Sequence, residues 1–486
     1  MIRNKIIAIA FLCCVGALAF HSPAYPSVGA ETIKGNSSSL KYEVKDVFVG
    51  NLMQKVEINN PSDYEVTGGE LFIPVIRNET ARHFVVLYNV SSEIGPPTFL
   101  SDEFGNTYAH WNNVAIKRRQ NLAFEMDYRV LSFGTRYLTD SNMVGDYDKN
   151  SDIYKKYTQP EELVQSDNPE LVSKAQDITK GENDTLKKVS KVYDFVIRHM
   201  HYTTQDEERG AMWALENKTG DCSEFSYLFV ALCRAVGIPA RIQVGFAFSS
   251  ISETIEEGHM WAEYYLENYG WVPVDATWRD FNTLDRRHFS SMSSIPEIIP
   301  YANYLFNSTK DLELTDKQTV TLKPLSPDAF DGSLLPENVL TAVRRIQQAK
   351  LSMFLAESLG AALIFAPDAE KTNQAIFTSQ TQLQDAINQW NPNQEVAQLN
   401  ATDALITSEK ALQRASMLVY KASAVLISVL IMIMLGALVI LSRHQTSREK
   451  EPLRKQRNGI NHIRADMVDS VSNRNNRPKS SSQNSW

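Results

Sequence analysis

Cysteine is scarce in this chain of 486 residues, and its four copies are badly placed for bridging. Cys13 and Cys14 lie in an apolar N-terminal segment, while Cys222 and Cys233 fall in one apolar run that reads as a single helix. At ~1.5 Å of rise per residue, the sulfurs of the latter two would stand roughly 16 Å apart, which excludes a disulfide. No Cys-x-x-Cys or His-x-x-x-His occurs, so nothing closes a zinc shell. The acidic stretch Asp146 to Asp152 lacks the glycine and terminal glutamate of a calcium loop and reads as a solvated linker. No cofactor is expected. Basic excess is missing too: the net charge is -8 and no Lys/Arg stripe is present, which excludes nucleic acid as the main partner.

What is present begins at the two ends. Residues 1–30 carry Arg3 and Lys5, an apolar stretch from Ile6 to Phe20, and small-residue cleavage candidates at Ala17-Leu18-Ala19 and Val28-Gly29-Ala30, a secretory signal pattern. Ala422 to Ser442 runs without a charge and is long enough for the ~30 Å hydrocarbon core of a bilayer. Arg443, Arg448, Lys450, Arg454, Lys455 and Arg457 follow it, so the positive-inside tendency puts residues 443–486 in the cytoplasm and the rest outside. Sequons at Asn36, Asn78, Asn89, Asn183, Asn217, Asn307 and Asn400 all precede the apolar span, in keeping with a glycoprotein of that orientation.

Three blocks carry chemistry. The first is Gly220-Asp221-Cys222-Ser223-Glu224-Phe225-Ser226, just ahead of an apolar helical run. A thiol in the first turn of a helix meets the positive end of the dipole and free N–H groups, both of which favour thiolate. The second and third are Gly258-His259-Met260-Trp261-Ala262-Glu263 and Trp271-Val272-Pro273-Val274-Asp275-Ala276-Thr277-Trp278, an imidazole and a carboxylate on two short strands. An imidazole that takes the proton makes the thiol a nucleophile, and a carboxylate fixes the imidazole's tautomer and stabilises its charged form. The midpoint between His259 and Asp275 is Glu267, at the edge of a turn, so an antiparallel hairpin can bring the two together. Taken singly, each residue has an ordinary structural reading, and Cys233 is expected to be a buried small hydrophobe.

Together the three blocks, in the order Cys, His, Asp, resemble the transglutaminase-like superfamily, relatives of papain-type cysteine hydrolases. Met260 stands where many members have Ala, and Ala276 where many have Pro; neither change removes a titrating group, and Met260 and Trp278 are expected to border the cleft. The resemblance implies an α+β, papain-like core with the triad Cys222, His259 and Asp275. It also implies an oxyanion hole made by the Cys222 backbone N–H and an upstream side chain. Tyr202, Gln205 and Trp213 are the candidates for the latter, with Tyr202 favoured, while Trp261 and Glu263 are expected to line or brace the cleft.

Around this core, residues 31–144 alternate short apolar strands with turn residues and read as an immunoglobulin-like β-sandwich. Residues 145–181 form a polar connector, 182–310 the catalytic domain, 311–421 a helical stalk or small bundle, 422–442 the transmembrane helix, and 443–486 a disordered tail. Leu351 to Ala366 is apolar but short and contains Glu357, so a buried amphipathic helix is expected. The leading functional expectation is a membrane-anchored extracellular cysteine enzyme that attacks amide bonds of a protein or peptide, such as a cell-envelope protein, through a thioester: peptidase, isopeptidase or acyl-transferring crosslinker. The alternative is a non-catalytic surface receptor or adhesin that binds peptides with the same fold.

Overall fold

The computed structural model describes residues 40–79, 81–294, 304–306, 314–325 and 336–472, and structural statements here concern those residues. The expected signal segment 1–30 lies outside them, as does 473–486 of the tail.

The longest strand, Tyr42–Asn59, alternates side chains that are buried and partly exposed, with Leu52, Val56 and Ile58 inside, as a strand covered on one face must. It pairs antiparallel with Asn121–Tyr137 from Tyr42↔Tyr137 to Asn59↔Asn121, with an irregularity between Val44 and Asp46. A second sheet contains Tyr304–Phe306, Val66–Pro74, Thr107–Ile116 and Thr98–Ser101. Leu52 and Val56 of the first sheet share a core with Leu71, Trp111 and Val114 of the second, so the two form a sandwich.

That sandwich is not confined to 31–144. Thr315–Pro324, expected at the start of the helical region, pairs with Tyr42–Asn59 on its free side, and Glu253–Ile255 and Thr283–Leu284 also join the sheet. An uncovered strand edge would expose a long row of unpaired N–H and C=O groups, and the returning strand covers it from Gly50 to Asn59.

The core sheet is ordered Asp280–Phe281, Gly270–Asp275, His259–Leu266, Ala240–Ala247, His288–Ser293, antiparallel throughout. Against it lies Cys222–Ala235, buried from Ser223 to Arg234, which is why this helix is apolar all round rather than on one stripe. The expected connector is also part of the core. It contains the helices Asp152–Tyr157 and Pro169–Thr179, and Leu171 and Ala175 of the second are fully buried with Val192 and Phe229.

Three long helices, Glu337–Ser358, Ala366–Gln389 and Gln394–Ser472, follow, with the short Ala361–Ile364 in the turn between the first two. They are docked on the sandwich rather than standing free of it. Gln384 accepts from the Lys41 N–H at 2.6 Å, the Tyr42 hydroxyl donates to Asn388 at 2.9 Å, and Trp390 packs 5.5 Å from the Phe84 ring. The last helix continues through Ser472, so residues 443–472, expected to be disordered, are helical; their Arg, Lys, Glu and Gln content suits continued helix. Among the described residues this is the one helix long and apolar enough to cross a membrane, and no residue of its most apolar window is buried. Leu351–Ala366 differs from expectation as well: Met353, Ala356 and Ala361 are buried, whereas Leu351, Phe354, Leu355, Leu363 and Ile364 face outward. Alanines 349, 356, 411, 415 and 422 make the inner seam, which leaves the large side chains on the outer face.

Candidate active site

Cys222 opens its helix behind the N-cap Asp221. The Asp221 carboxylate accepts from the Ser223 N–H at 3.0 Å, and Glu224 accepts from the Asp221 N–H at 3.0 Å, a reciprocal capping box. The same two carboxylates hold the loop upstream, accepting from the N–H groups of Gln205 and Arg209 at 3.3 and 2.9 Å. Gly220 must be glycine: its φ is +156°, and a Cβ there would lie 2.3 Å from the Glu224 Cβ. One turn into the helix, the Ser226 hydroxyl bonds the Cys222 carbonyl at 2.8 Å and the Met260 carbonyl at 3.2 Å, pinning the thiol's helix to the strand that carries His259.

The hairpin after His259 centres on Asn268, one residue beyond the sequence midpoint Glu267, because the register runs Ala262↔Val274 to Leu266↔Gly270 and Asn268 adopts φ +71°. His259 and Asp275 therefore meet on the diagonal instead of directly opposite, on one face of the sheet. Their contact is short, His259 Nε2 to Asp275 Oδ2 at 2.7 Å. Burial disfavours a charged His259, but hydrogen bonding to Asp275 and Cys222 outweighs this and holds its pKa up at about 9. Carboxylate and thiol thus both raise the proton affinity of the ring.

Asp275 is fully buried. Burial opposes its charge, but its hydrogen bonds with His259 and His288 keep it well below the usual carboxylate range. Its other oxygen accepts from the N–H groups of Thr277 and Trp278, each at 2.9 Å.

His288 is the component that sequence reading missed. It lies two strands from His259 across Ala240–Ala247, fully buried, with Nε2 3.3 Å from Asp275 Oδ2 and Nδ1 2.8 Å from Asp285 Oδ1. Burial works against its charge, yet the two carboxylates raise its pKa to about 9. The available signal was local, an Asp and a His three residues apart leading into a strand. His259, Asp275 and His288 place one ligand atom each within 4.8 Å of one another, a set that could hold a metal ion; their hydrogen bonds already use those atoms.

The remaining expected site residues divide. Tyr202 pairs through its backbone with Gly220, two residues before Cys222, in a short parallel bridge, is 58% exposed, and its phenol is raised by burial and then by Cys222. The Gln205 amide bonds the Thr203 carbonyl at 3.0 Å while its backbone N–H bonds Asp221, the neighbour of Cys222, and Trp213 lies in Gly210–Asn217 with Arg209 over its ring. Trp261 is 1% exposed and lies under the histidines, 6.1 Å from His259 and 5.4 Å from His288, as floor rather than wall. Trp278, 37% exposed, borders the site 5.5 Å from His259, whereas Met260 is buried because its strand turns it into the helix–sheet core.

Glu263 does not line the cleft. It is buried between Arg82 and Arg241, with Arg241 Nη2 at 2.6 Å and the Gln243 amide donating at 2.6 Å. Arg82 comes from the sandwich strand region, so this carboxylate braces the sandwich against the core. Both described cysteines are free thiols, and burial pushes that of Cys233 far up, leaving Cys222 as the accessible one.

Residues 172–276, which carry Cys222, His259 and Asp275, match the transglutaminase-like superfamily. Among individual proteins, an uncharacterized protein of Haemophilus influenzae is 31% identical over 119 residues, covering 20% of this chain and 32% of its own. The uncharacterized protein YebA of Bacillus subtilis is 28% identical over 148 residues, covering 26% of this chain and 20% of its own. The matched parts therefore span about a third and a fifth of those relatives. A solved structure from Cytophaga hutchinsonii, provisionally described as a cysteine protease, aligns over 60% of this chain and 98% of its own at 15% identity, with a TM-score of 0.43.

Proposed function

We propose that this protein is a membrane-anchored cysteine enzyme that cleaves or transfers acyl groups at amide bonds of a protein or peptide outside the cytoplasm. The observation that carries the reading is His259 bonded to the buried carboxylate of Asp275 at 2.7 Å, with its proton affinity raised by that carboxylate and by the neighbouring Cys222 thiol. In the step this supports, the Cys222 thiolate adds to the amide carbonyl and the protonated His259 gives its proton to the departing amine, leaving a thioester. Water or a second amine then loses a proton to His259 and adds to the thioester, releasing the thiolate. Negative charge on the carbonyl oxygen would be met by the Cys222 N–H, free in the first helical turn, and by the Tyr202 hydroxyl. Anchoring rests on Ala422–Ser442, and the basic residues Arg443 and Arg448 beyond it favour a cytoplasmic tail.

A thiol-reactive probe at neutral pH tests the chemistry. Cys222 is expected to label much faster than Cys233, and His259→Ala to remove the advantage. Equal rates for the two cysteines in the folded protein would favour the non-catalytic peptide-binding reading instead. Incubation with isolated envelope material, compared with Cys222→Ala, separates cleavage from crosslinking.

A further inference from the structure

We propose that the turn joining Glu337–Ser358 to Ala366–Gln389 is a second membrane contact, an apolar apex that dips into the outer boundary of the bilayer beside the spanning helix. The inference rests on the reading of Ala422–Ser442 as that span.

Register fixes the height of the apex. Asn338 bonds Thr402, 64 residues on, at 3.1 Å, and Arg345 lies 3.9 Å from Glu409 at the same separation, so Glu337–Ser358 runs alongside the last helix and brings Ser358 level with Ala422. From the other side, Lys421 Nζ reaches Asp368 Oδ2 at 2.7 Å and lies 5.6 Å from the Phe365 ring. Ala361 shares a buried cluster with Ala422. The turn 359–365 thus sits where the uncharged run begins.

Its outer surface is what a bilayer boundary would select. Leu363 is 91% exposed, Phe354 68%, Ile364 50% and Leu355 48%, with Leu351 a turn further from the apex at 70%. Isolated apolar side chains are ordinary at a protein surface, but Leu363 and Ile364 at the tip, with Phe354, Leu355 and Leu351 in the turns above and the exposed Leu426 and Ile427 at the start of the spanning helix, form a patch that water penalises. Helices that lie in a membrane boundary bury their apolar face ~5–10 Å deep. Charge sets the limit here. Glu357, Asp368 and Lys421 share one level, so the apex beyond them enters the acyl boundary while they stay with the headgroups, and Phe354 and Leu355 flank that ring. Two contacts instead of one would stop the ectodomain from tilting freely about a single helix.

The test uses the full chain, with its four cysteines replaced by alanine, in phosphatidylcholine–phosphatidylglycerol vesicles, with a polarity-sensitive fluorophore at one new cysteine: Leu363→Cys, Ile433→Cys or Glu395→Cys. Leu363 is so exposed that the change leaves packing intact. The expected result is quenching at 363 by lipids carrying a quencher near the headgroup, with aqueous iodide several-fold less effective there than at 395. Iodide quenching at 363 equal to that at 395, with 433 still quenched only from lipid, would overturn the apex contact and spare the span. Iodide access at 433 would overturn the span itself. Shielding of 363 from iodide and lipid alike, lost on dilution to one chain per vesicle, would assign the patch to a second copy of the chain and also overturn the proposal.

Discussion

Two carboxylates on the core sheet, Asp275 and Glu263, are both essentially inaccessible and both held ionised, yet they do different work. Glu263 is flanked by Arg82 and Arg241, cations that keep their protons at any physiological pH, so the cluster is a fixed brace between sandwich and core. Asp275 is flanked by His259 and His288, imidazoles that can gain or lose a proton, so the same kind of buried anion sits where the proposed reaction needs a support for proton transfer. Burial and low carboxylate pKa alone do not mark a reactive centre; the identity of the cationic neighbour does.

Substitution can pull the two clusters apart, beginning with the largest effect. Cys222→Ala is expected to abolish amide chemistry while leaving thermal unfolding unchanged, measured by envelope processing beside calorimetry. Asp275→Asn keeps the size of the side chain but loses its charge and disturbs the His259 tautomer. The rate of Cys222-dependent turnover should fall on the order of 10³–10⁴-fold, and a loss below tenfold would break the analogy between Asp275 and an orienting carboxylate. Glu263→Gln should do the reverse: unfolding free energy falls by about 3–5 kcal/mol because two buried guanidiniums lose their counter-ion, while Cys222 labelling in the folded fraction is retained.

The smallest effect sharpens the contrast through pH. His259 and His288 have folded pKa values of about 9 against an ordinary 6.5, so their stabilisation is complete below 6.5 and is lost as pH rises through about 9. Glu263, lowered to about 2 from an ordinary 4.5, stabilises above 4.5 and loses that contribution as pH falls through about 2. In urea titrations across pH, His288→Gln should flatten part of the alkaline decline and leave the acid limb, and Glu263→Gln should flatten the acid limb and leave the alkaline one. Identical changes in both variants would mean that the clusters are one network.

Much of this was legible because it is local. Cys222 at a helix start, His259 and Asp275 on a hairpin, and the alternating strands from Tyr42 to Leu131 all announce themselves within a few residues. What escaped reading depends on distant pairing. Glu263 looked like a cleft residue because its partner Arg82 lies 181 positions upstream. His288 reaches Asp275 only after its strand pairs with Ala240–Ala247. Thr315–Pro324 alternates Val320 and Leu322 as a strand should, but nothing nearby names Tyr42–Asn59 as its partner. Gly245 belongs to the same lesson: between the strands of His259 and His288, a Cβ there would meet the Phe289 carbonyl oxygen at 2.0 Å, a constraint that exists only once the sheet is assembled.

The unbroken helix from Gln394 onward also sets a working altitude. The sandwich is fastened to the bundle near its far end, where Leu383 and Ala386 share a core with Ala401 and Ala404, so with Ala422 at the bilayer surface that attachment lies roughly 25–40 Å above the lipid at ~1.5 Å per residue. On the proposed anchoring, the sandwich is thus held off the lipid by the length of the bundle instead of lying on it.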